Sequence, residues 1–356
     1  MNKFIFSLVT VLLLLLAACS PTPTQTPGPV TLTIMTHDSF AISEDVAQAF
    51  EEEFNVKLVF LKSGDTGAAL NRAILMKDAP EADVFYGVDN TFLSRAVQEG
   101  IFESYTSPVL AEIPEEFTAG LSGVVTPIDY GDVCINYDRA WFAASGLEVP
   151  GSLEDLTLPA YGNPQGEGLL VVENPATSSP GLAFLLATIA EYGEDGYLDY
   201  WRALKTNGVV VVNDWETAYY TNFSASSGKG LQPMVVSYAT SPAAEVIYAS
   251  EPLTEAPTAS IIDPNTCFRQ IEYAGILKGT SNPELAQRFI DFMLSPRFQE
   301  DVPLQMFVYP VNPQAGLPAE FLRFAATAEE PAVLDPVIIA INRDEWIREW
   351  SEVMLK

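Results

Sequence analysis

Histidine is nearly absent from this chain: its 356 residues include one, His37, against 47 Asp and Glu. A metal centre built from several imidazoles is therefore excluded. Basic residues are scarce as well, 18 Lys and Arg in all, which leaves a formal net charge of −29. Without a basic stripe there is no electrostatic footprint for nucleic acid, and anionic lipid would repel this surface. The same field favours a cationic ligand. No dinucleotide glycine fingerprint follows the first predicted strand, so a Rossmann cofactor site is not supported, and no cofactor is expected. There is no internal repeat. An almost unbroken apolar run occurs at the N-terminus.

There, Lys3 precedes an apolar run from Phe4 to Leu16, followed by Ala17, Ala18 and Cys19. A charged start, a short apolar stretch and small residues read as a signal peptide over 1–18, too short for a spanning helix. The Leu16-Ala17-Ala18-Cys19 end resembles the bacterial lipobox, which implies that Cys19 is lipidated and becomes the new N-terminus. Residues 19–29, with "SPTPTQTPGP", form a Pro/Thr tether that cannot bury anything. The folded part then begins near Val30, exported and held to the outer face of the cell membrane. Cys134 and Cys267 remain; in an exported protein they either form a disulfide or lie as two buried thiols.

The folded part is long enough for two lobes with sizeable cores. "VTLTIMTHDSF" reads as a strand, "SEDVAQAFEEEF" as a helix, and strand–helix alternation continues through "VKLVFLKSGD", "TGAALNRAILMKDAP", "ADVFYGVD" and "NTFLSRAVQEG". That order predicts a parallel sheet with helices on its faces. A second region follows "VVTPIDYGDVCINYD", in which "GLLVVENPATSSPG", "GVVVVNDWETAYYTNFSA" and "PMVVSYATSPAAEVIYAS" each run from a strand through polar residues into a helix. Open α/β sheets bind ligands at such strand ends. "FRQIEYAGILKG" is a strand and "NPELAQRFIDFMLSPRFQEDVP" a helix, returning to the first region. In the tail, Trp346, Ile347, Trp350 and Met354 share one helical face, which predicts docking.

"VVENPATSSPGLAFLLATIAEYG" carries the clearest local signal. Pro180 suits the first helical position and Ser179 its N-cap, and Leu182, Leu185, Leu186 and Ile189 supply the helical period. The hydroxyls and free backbone N–H groups of that helix start suit an anion or a polar ligand.

Several stretches together resemble the solute-binding proteins of ABC importers, of the two-lobe type II periplasmic-binding-protein kind, and among them the thiamine-binding branch. They are "THDSF", "DTGAALNR", "ADVFYGVDN", "IDYGDVCINYD", "PATSSPGLAFLL", "NDWETAY", "VVSYATSPA", "NPELAQRFIDFMLSPRFQ" and "FVYPVN", in the family's order. The resemblance implies an α/β fold with a hinge between two open sheets, lobe 1 from 30–128 plus 270–356 and lobe 2 from 129–269. It implies a monomeric, non-enzymatic receptor that passes thiamine or a thiamine phosphate to the permease subunits.

By the same resemblance Asp65 and Thr66 close one wall, and Ser178 and Ser179 receive the hydroxyethyl or phosphate end. Trp215 stacks on the ligand, and Tyr238, Thr240 and Ser241 belong to a Tyr-x-x-Ser segment. His37 stands where many relatives have Tyr, Ser179 replaces Thr, and Thr66 replaces Gly. Chemically, the faces of Trp215, Tyr219 and Tyr238 suit a permanent thiazolium cation, and Asp38 or Asp65 could neutralise it. Cys134 and Cys267 fall on the segments that cross between the lobes. Two other readings use the same residues: a ferric site from Tyr219, Tyr220 and His37, and a thiaminase-like enzyme with Cys134 as nucleophile.

Overall fold

The first strand, β1 (Val30–Thr36), buries Leu32, Ile34 and Met35. Helix α1 (Glu44–Phe54) turns Val46 and Phe50 inward and ends at Asn55, whose φ of 49° is the left-handed cap that Asn tolerates. Strand β2 (Val56–Lys62), helix α2 (Thr66–Leu75), strand β3 (Val84–Asp89) and helix α3 (Leu93–Glu99) continue the alternation. β1 and β3 pair in parallel, as the strand–helix order requires. The computed structural model describes residues 29–121, 123–163, 167–227 and 230–356. The leader, Cys19 and most of the tether lie outside the described residues, and Thr31–Lys356 forms one compact unit.

The second region contributes β4 (Thr126–Asp138), β5 (Leu170–Glu173), α4 (Ser179–Thr206), β6 (Val210–Val212), β7 (Met234–Tyr238), α5 (Ser241–Ile247), β8 (Thr258–Ile261) and β9 (Phe268–Ile276). β5 pairs in parallel with both β6 and β7. The two parallel trios read from the sequence are joined into one ten-stranded sheet in the order β2-β1-β3-β9-β4-β7-β5-β6, with β8 and β10 (Tyr309–Pro310) also on β4. The joining pairs, β3 with β9, β9 with β4 and β4 with β7, are antiparallel.

β4 changes partners along its length. Thr126–Val133 pairs with β9, Val133–Tyr137 with β7, and Ile135–Asp138 with β8. At that changeover a disulfide joins Cys134 to Cys267, with Cα atoms 4.3 Å apart.

The stretch "NPELAQRFIDFMLSPRFQEDVP" forms two helices, α6 (Pro283–Met293) and α7 (Pro296–Gln305). The break is local chemistry: Pro296 cannot continue a helix, and the Ser295 side chain caps the new one on the N–H of Phe298. The tail helix α8 (Pro336–Met354) docks as its pattern predicts, burying Trp346, Trp350 and Met354. Trp350 meets Trp201 of α4 edge-on at 5.4 Å. α4 begins one residue earlier than expected, with Ser178 at the N-cap and Ser179 as its first residue. Among the described residues no helix is long and apolar enough to cross a membrane.

Candidate functional site

The residues singled out in the sequence gather at the carboxyl ends of parallel strands. His37 and Asp38 follow β1, Asp65 follows β2, Ser178 and Ser179 follow β5, Trp215 follows β6, and Thr240 and Ser241 follow β7. At this end of an open α/β sheet side chains converge on space that no strand fills. The α2 start presses directly on the loop after β5, where the N–H of Gly67 donates to the Thr177 carbonyl at 2.9 Å. A Cβ on Gly67 would lie 2.7 Å from the Ala176 carbonyl oxygen, so only glycine permits this approach.

Trp215 is held at its edge and leaves its face for packing. Its Nε1–H donates to the Ser237 hydroxyl at 2.9 Å, and Ser237 lies 3.0 Å from the Ser241 hydroxyl. Tyr219 stacks on the indole at 5.0 Å and 20°, while Tyr238 stands edge-on at 6.5 Å. Trp215 and Tyr238 line a cavity of about 80 Å³ together with His37, Ser39, Glu272 and Phe307. Neither Lys nor Arg lines it, and Glu216 adds a second carboxylate. Phe307 sits at φ +58°, a left-handed conformation costly for a bulky side chain and held only by its surroundings.

Carboxyl groups dominate the electrostatics. Asp65 caps α2 through the Thr66 N–H at 2.7 Å and accepts the Trp215 N–H at 3.2 Å. Burial pushes its carboxyl up to about 6, although the Ser178 hydroxyl beside it and these two N–H groups favour the charge. Ser178 is fully buried and forms no well-aligned hydrogen bond of its own. Ser179 donates instead to Asp89, whose carboxyl burial raises to about 7. Glu173 lies buried with neither oxygen paired, and burial followed by the charge of Asp65 pushes it well above the carboxylate range.

Behind Glu272, which lines the cavity, the Tyr86 hydroxyl bridges Asp129 Oδ2 at 2.5 Å and Glu272 Oε2 at 3.1 Å. Burial, then repulsion by Asp129, holds Glu272 well above its ordinary range. His37 Nε2 stands 3.5 Å from the Glu272 Oε1 atom, and His37 Nδ1 lies 2.9 Å from the Ser39 hydroxyl. Burial, and secondarily the charge of Lys62, lowers the imidazole to about 4, so it is neutral near pH 7. Gly87, at φ +102°, makes room for this ring: a Cβ there would meet His37 Cδ2 at 2.4 Å.

Other expected residues, Asp38, Asp65, Thr66, Ser178, Ser179 and Thr240, lie in the surrounding loops and do not line the cavity. Asp38 accepts the Gly64 N–H at 2.9 Å, and the Thr66 hydroxyl donates to the Gly87 carbonyl at 3.0 Å. Thr240 is buried with its hydroxyl unpartnered. The sequence reading missed Asp89, Glu173, Glu272 and Ser237; of these Asp89 and Glu173, the last residues of β3 and β5, carried a positional signal. The rival chemistries fare poorly. Tyr219 donates its proton to Glu245 at 2.7 Å, and burial raises that phenol, which opposes the tyrosinate a ferric site needs. The disulfide removes Cys134 as a nucleophile.

Comparison with known proteins agrees with this architecture. A family model for bacterial extracellular solute-binding proteins matches residues 79–325. The thiamine-binding periplasmic protein of Escherichia coli (strain K12) is 31% identical over 327 residues, covering 91% of this chain and 93% of that protein. Its namesake from Brucella suis biovar 1 is 31% identical over 328 residues, covering 90% and 91%. Among solved structures, a periplasmic thiamin binding protein superposes with a TM-score of 0.79 at 28% identity, over 94% of this chain and 99% of that one. Iron-bound HitA from Pseudomonas aeruginosa shares the fold, with a TM-score of 0.72 at 22% identity over 90% and 99%. The chain belongs to the bacterial extracellular solute-binding proteins, non-enzymatic transport receptors with the type II periplasmic-binding-protein fold.

Proposed function

We propose that the protein captures thiamine, or a phosphate ester of it, outside the cell and hands it to the membrane subunits of an ABC permease. The observation that carries this reading is the cavity wall: Trp215 and Tyr238 faces beside Glu272 and Glu216, with neither Lys nor Arg among the lining residues. Aromatic faces in a partly dry site select a flat cation, each face contributing about 0.5–2 kcal/mol, and an acidic lining without Lys or Arg does not repel it. The thiamine-binding names of the relatives support the same ligand. At about 80 Å³ the cavity is far smaller than typical ligand pockets of roughly 300 Å³ and more, so capture requires the walls to part. Residues 30–128 with 270–356 would move against 129–269, flexing at β4 and β9.

In this reading Ser178 receives the polar end of the ligand once the walls part; its burial without a well-formed bond of its own supports that role. A calorimetric titration of the mature protein with thiamine, thiamine phosphate and thiamine diphosphate tests the reading. One-to-one binding of at least one of them is expected, and silence with all three overturns it. The anchor is tested separately: a Cys19→Ser variant should leave the membrane fraction, whereas unchanged membrane retention would refute lipidation at Cys19.

A further inference from the structure

A separate cavity, of about 300 Å³, shares no lining residue with the one beside Trp215. Its walls come from Pro242 of α5, from the strand β8, and from the end of a short helix, Ala319–Phe324. Among the described residues the charged groups lining it are Arg139, Arg323 and Glu255. Arg139 Nη1 stands 3.7 Å from Glu255 Oε2, and Arg323 Nη2 stands 3.8 Å from Glu255 Oε1. Both gaps are too long for a hydrogen bond, so the carboxylate lies between two guanidiniums and is held by neither. Arg323 is positioned by the Thr254 carbonyl at 2.8 Å and by the Phe324 ring at 4.7 Å. Arg139 makes no side-chain hydrogen bond among the described residues. Deeper in the wall, Thr258 is only 1% exposed and its hydroxyl has no partner. Its neighbour in the wall, Ser260, is satisfied by Asn136 Oδ1 at 2.8 Å. A buried hydroxyl left unbonded is costly, which marks Thr258 as a donor awaiting an acceptor.

We propose that this cavity binds inorganic phosphate or a small phosphate monoester, which takes the place of the Glu255 carboxylate. Glu255 itself shows where the anion sits: its two oxygens face the two guanidiniums separately, so one oxyanion there meets both. The Glu255 side chain is exposed, and exposed ion pairs contribute little, so it turns out into water at small cost. With Glu255 displaced, two guanidiniums remain, a charge that matches a dianion, and their N–H forks suit phosphate oxygens. The Thr258 hydroxyl adds a neutral donor, which gains the partner it lacks. The chain's net charge of −29 does not prevent this, because charges beyond a Debye length of about 8 Å are screened. The same net charge repels an anionic bilayer, which leaves a soluble anion as the occupant. The site is independent of the thiamine reading.

The test is calorimetric titration of the full mature chain with millimolar inorganic phosphate at about pH 8, where phosphate is a dianion. One-to-one binding is expected. Arg139→Gln and Arg323→Gln should each weaken it about tenfold, and Thr258→Val about threefold. Glu255→Gln should tighten it about threefold, because the internal competitor loses its charge. Glu251→Gln removes an equally exposed carboxylate that does not line the cavity, and should leave phosphate affinity within about twofold. Acetate, with a single charge, should bind at least about tenfold more weakly than phosphate. A wild type that binds no phosphate overturns the proposal, as does binding that neither arginine variant weakens. Equal tightening by Glu251→Gln and Glu255→Gln also overturns it, since the effect would then belong to the general field. Acetate binding as tightly as phosphate overturns the assignment to a dianion. Should either arginine variant fail to fold, the opposite signs expected of Thr258→Val and Glu255→Gln still decide.

Discussion

The main-chain N–H of Trp215 donates to Oδ2 of Asp65 at 3.2 Å, while Oδ1 of the same carboxyl accepts the Thr66 N–H at 2.7 Å. One side chain thus caps α2 and fixes the loop that carries the stacking indole. Asp65→Asn offers one acceptor oxygen where two are used and turns an N–H₂ toward a donor. Thiamine affinity should fall by about 1–3 kcal/mol, with little change in helix content. Calorimetry alongside circular dichroism checks this, and undiminished affinity would show that the bond does not position the loop.

Removing the ring itself should cost more. Trp215→Ala is expected to weaken thiamine binding by about 2 kcal/mol or more, because a cation–π face and its buried area are lost together. Trp215→Phe keeps a face while losing the anchor to Ser237, and should fall between the two. If alanine and phenylalanine variants bind as tightly as the wild type, the indole is a core residue only.

Stability should depend on pH in an unusual sense. Burial holds the carboxyls of Asp65 and Asp89 up at about 6 and about 7, and Glu173 is shifted the same way. In the unfolded chain these groups release their protons near their ordinary values of about 4. Between those limits the native state carries more protons, so unfolding free energy falls as pH rises through about 6–7. His37 works oppositely: held down at about 4, it leaves the unfolded chain with more protons below about 6.5 and weakens the fold as pH drops. The carboxyls outnumber the imidazole, so Tm should climb between pH 7.5 and pH 5.5, and Asp89→Asn should flatten the climb. Thermal melts across that window decide; a Tm that falls on acidification contradicts the assignment.

The Cys134–Cys267 bridge closes a long loop, with 133 residues of sequence separation. Mass spectrometry of the unreduced mature protein should show two hydrogens fewer than the reduced chain. Replacing both cysteines with serine should lower stability by about 2–4 kcal/mol in denaturant titrations. Two alkylatable thiols in the native protein would end this expectation.

What the sequence made legible were the strand ends. An apolar run that breaks into small polar residues before a helix start is a local pattern, and it marked the loops after β5, β6 and β7, while the choice of Asp65, Ser178, Trp215 and Ser241 within such loops came from the family resemblance. The off-by-one at the α4 cap has a plain reason: Ser178 and Ser179 are adjacent and identical, so composition cannot say which begins the helix. Glu272 was not legible, because a single acidic residue within a strand looks like the rest of an acidic surface, and Glu173 at the end of β5 gave no sign of its burial. Only tertiary packing buries them. The joining of the two parallel trios was equally hidden, since β4 meets β9 across more than a hundred residues and antiparallel pairing leaves no periodic mark.

β4 works as a leaf spring. Its first part belongs to the β9 and β10 ladders and its last part to those of β7 and β8. Those ladders run through the middle of the sheet, so in the opening proposed above the cleft would part by bending or twisting this strand and β9. No ladder has to be unzipped, so the elastic cost is spread over many small dihedral changes. The register irregularity between Pro127 and Asp129 is a soft point in that spring. The disulfide clamps the strand at Cys134, where it changes partners. In that proposed motion, flexure would be hindered at the clamp, so covalent chemistry as well as packing would set its path.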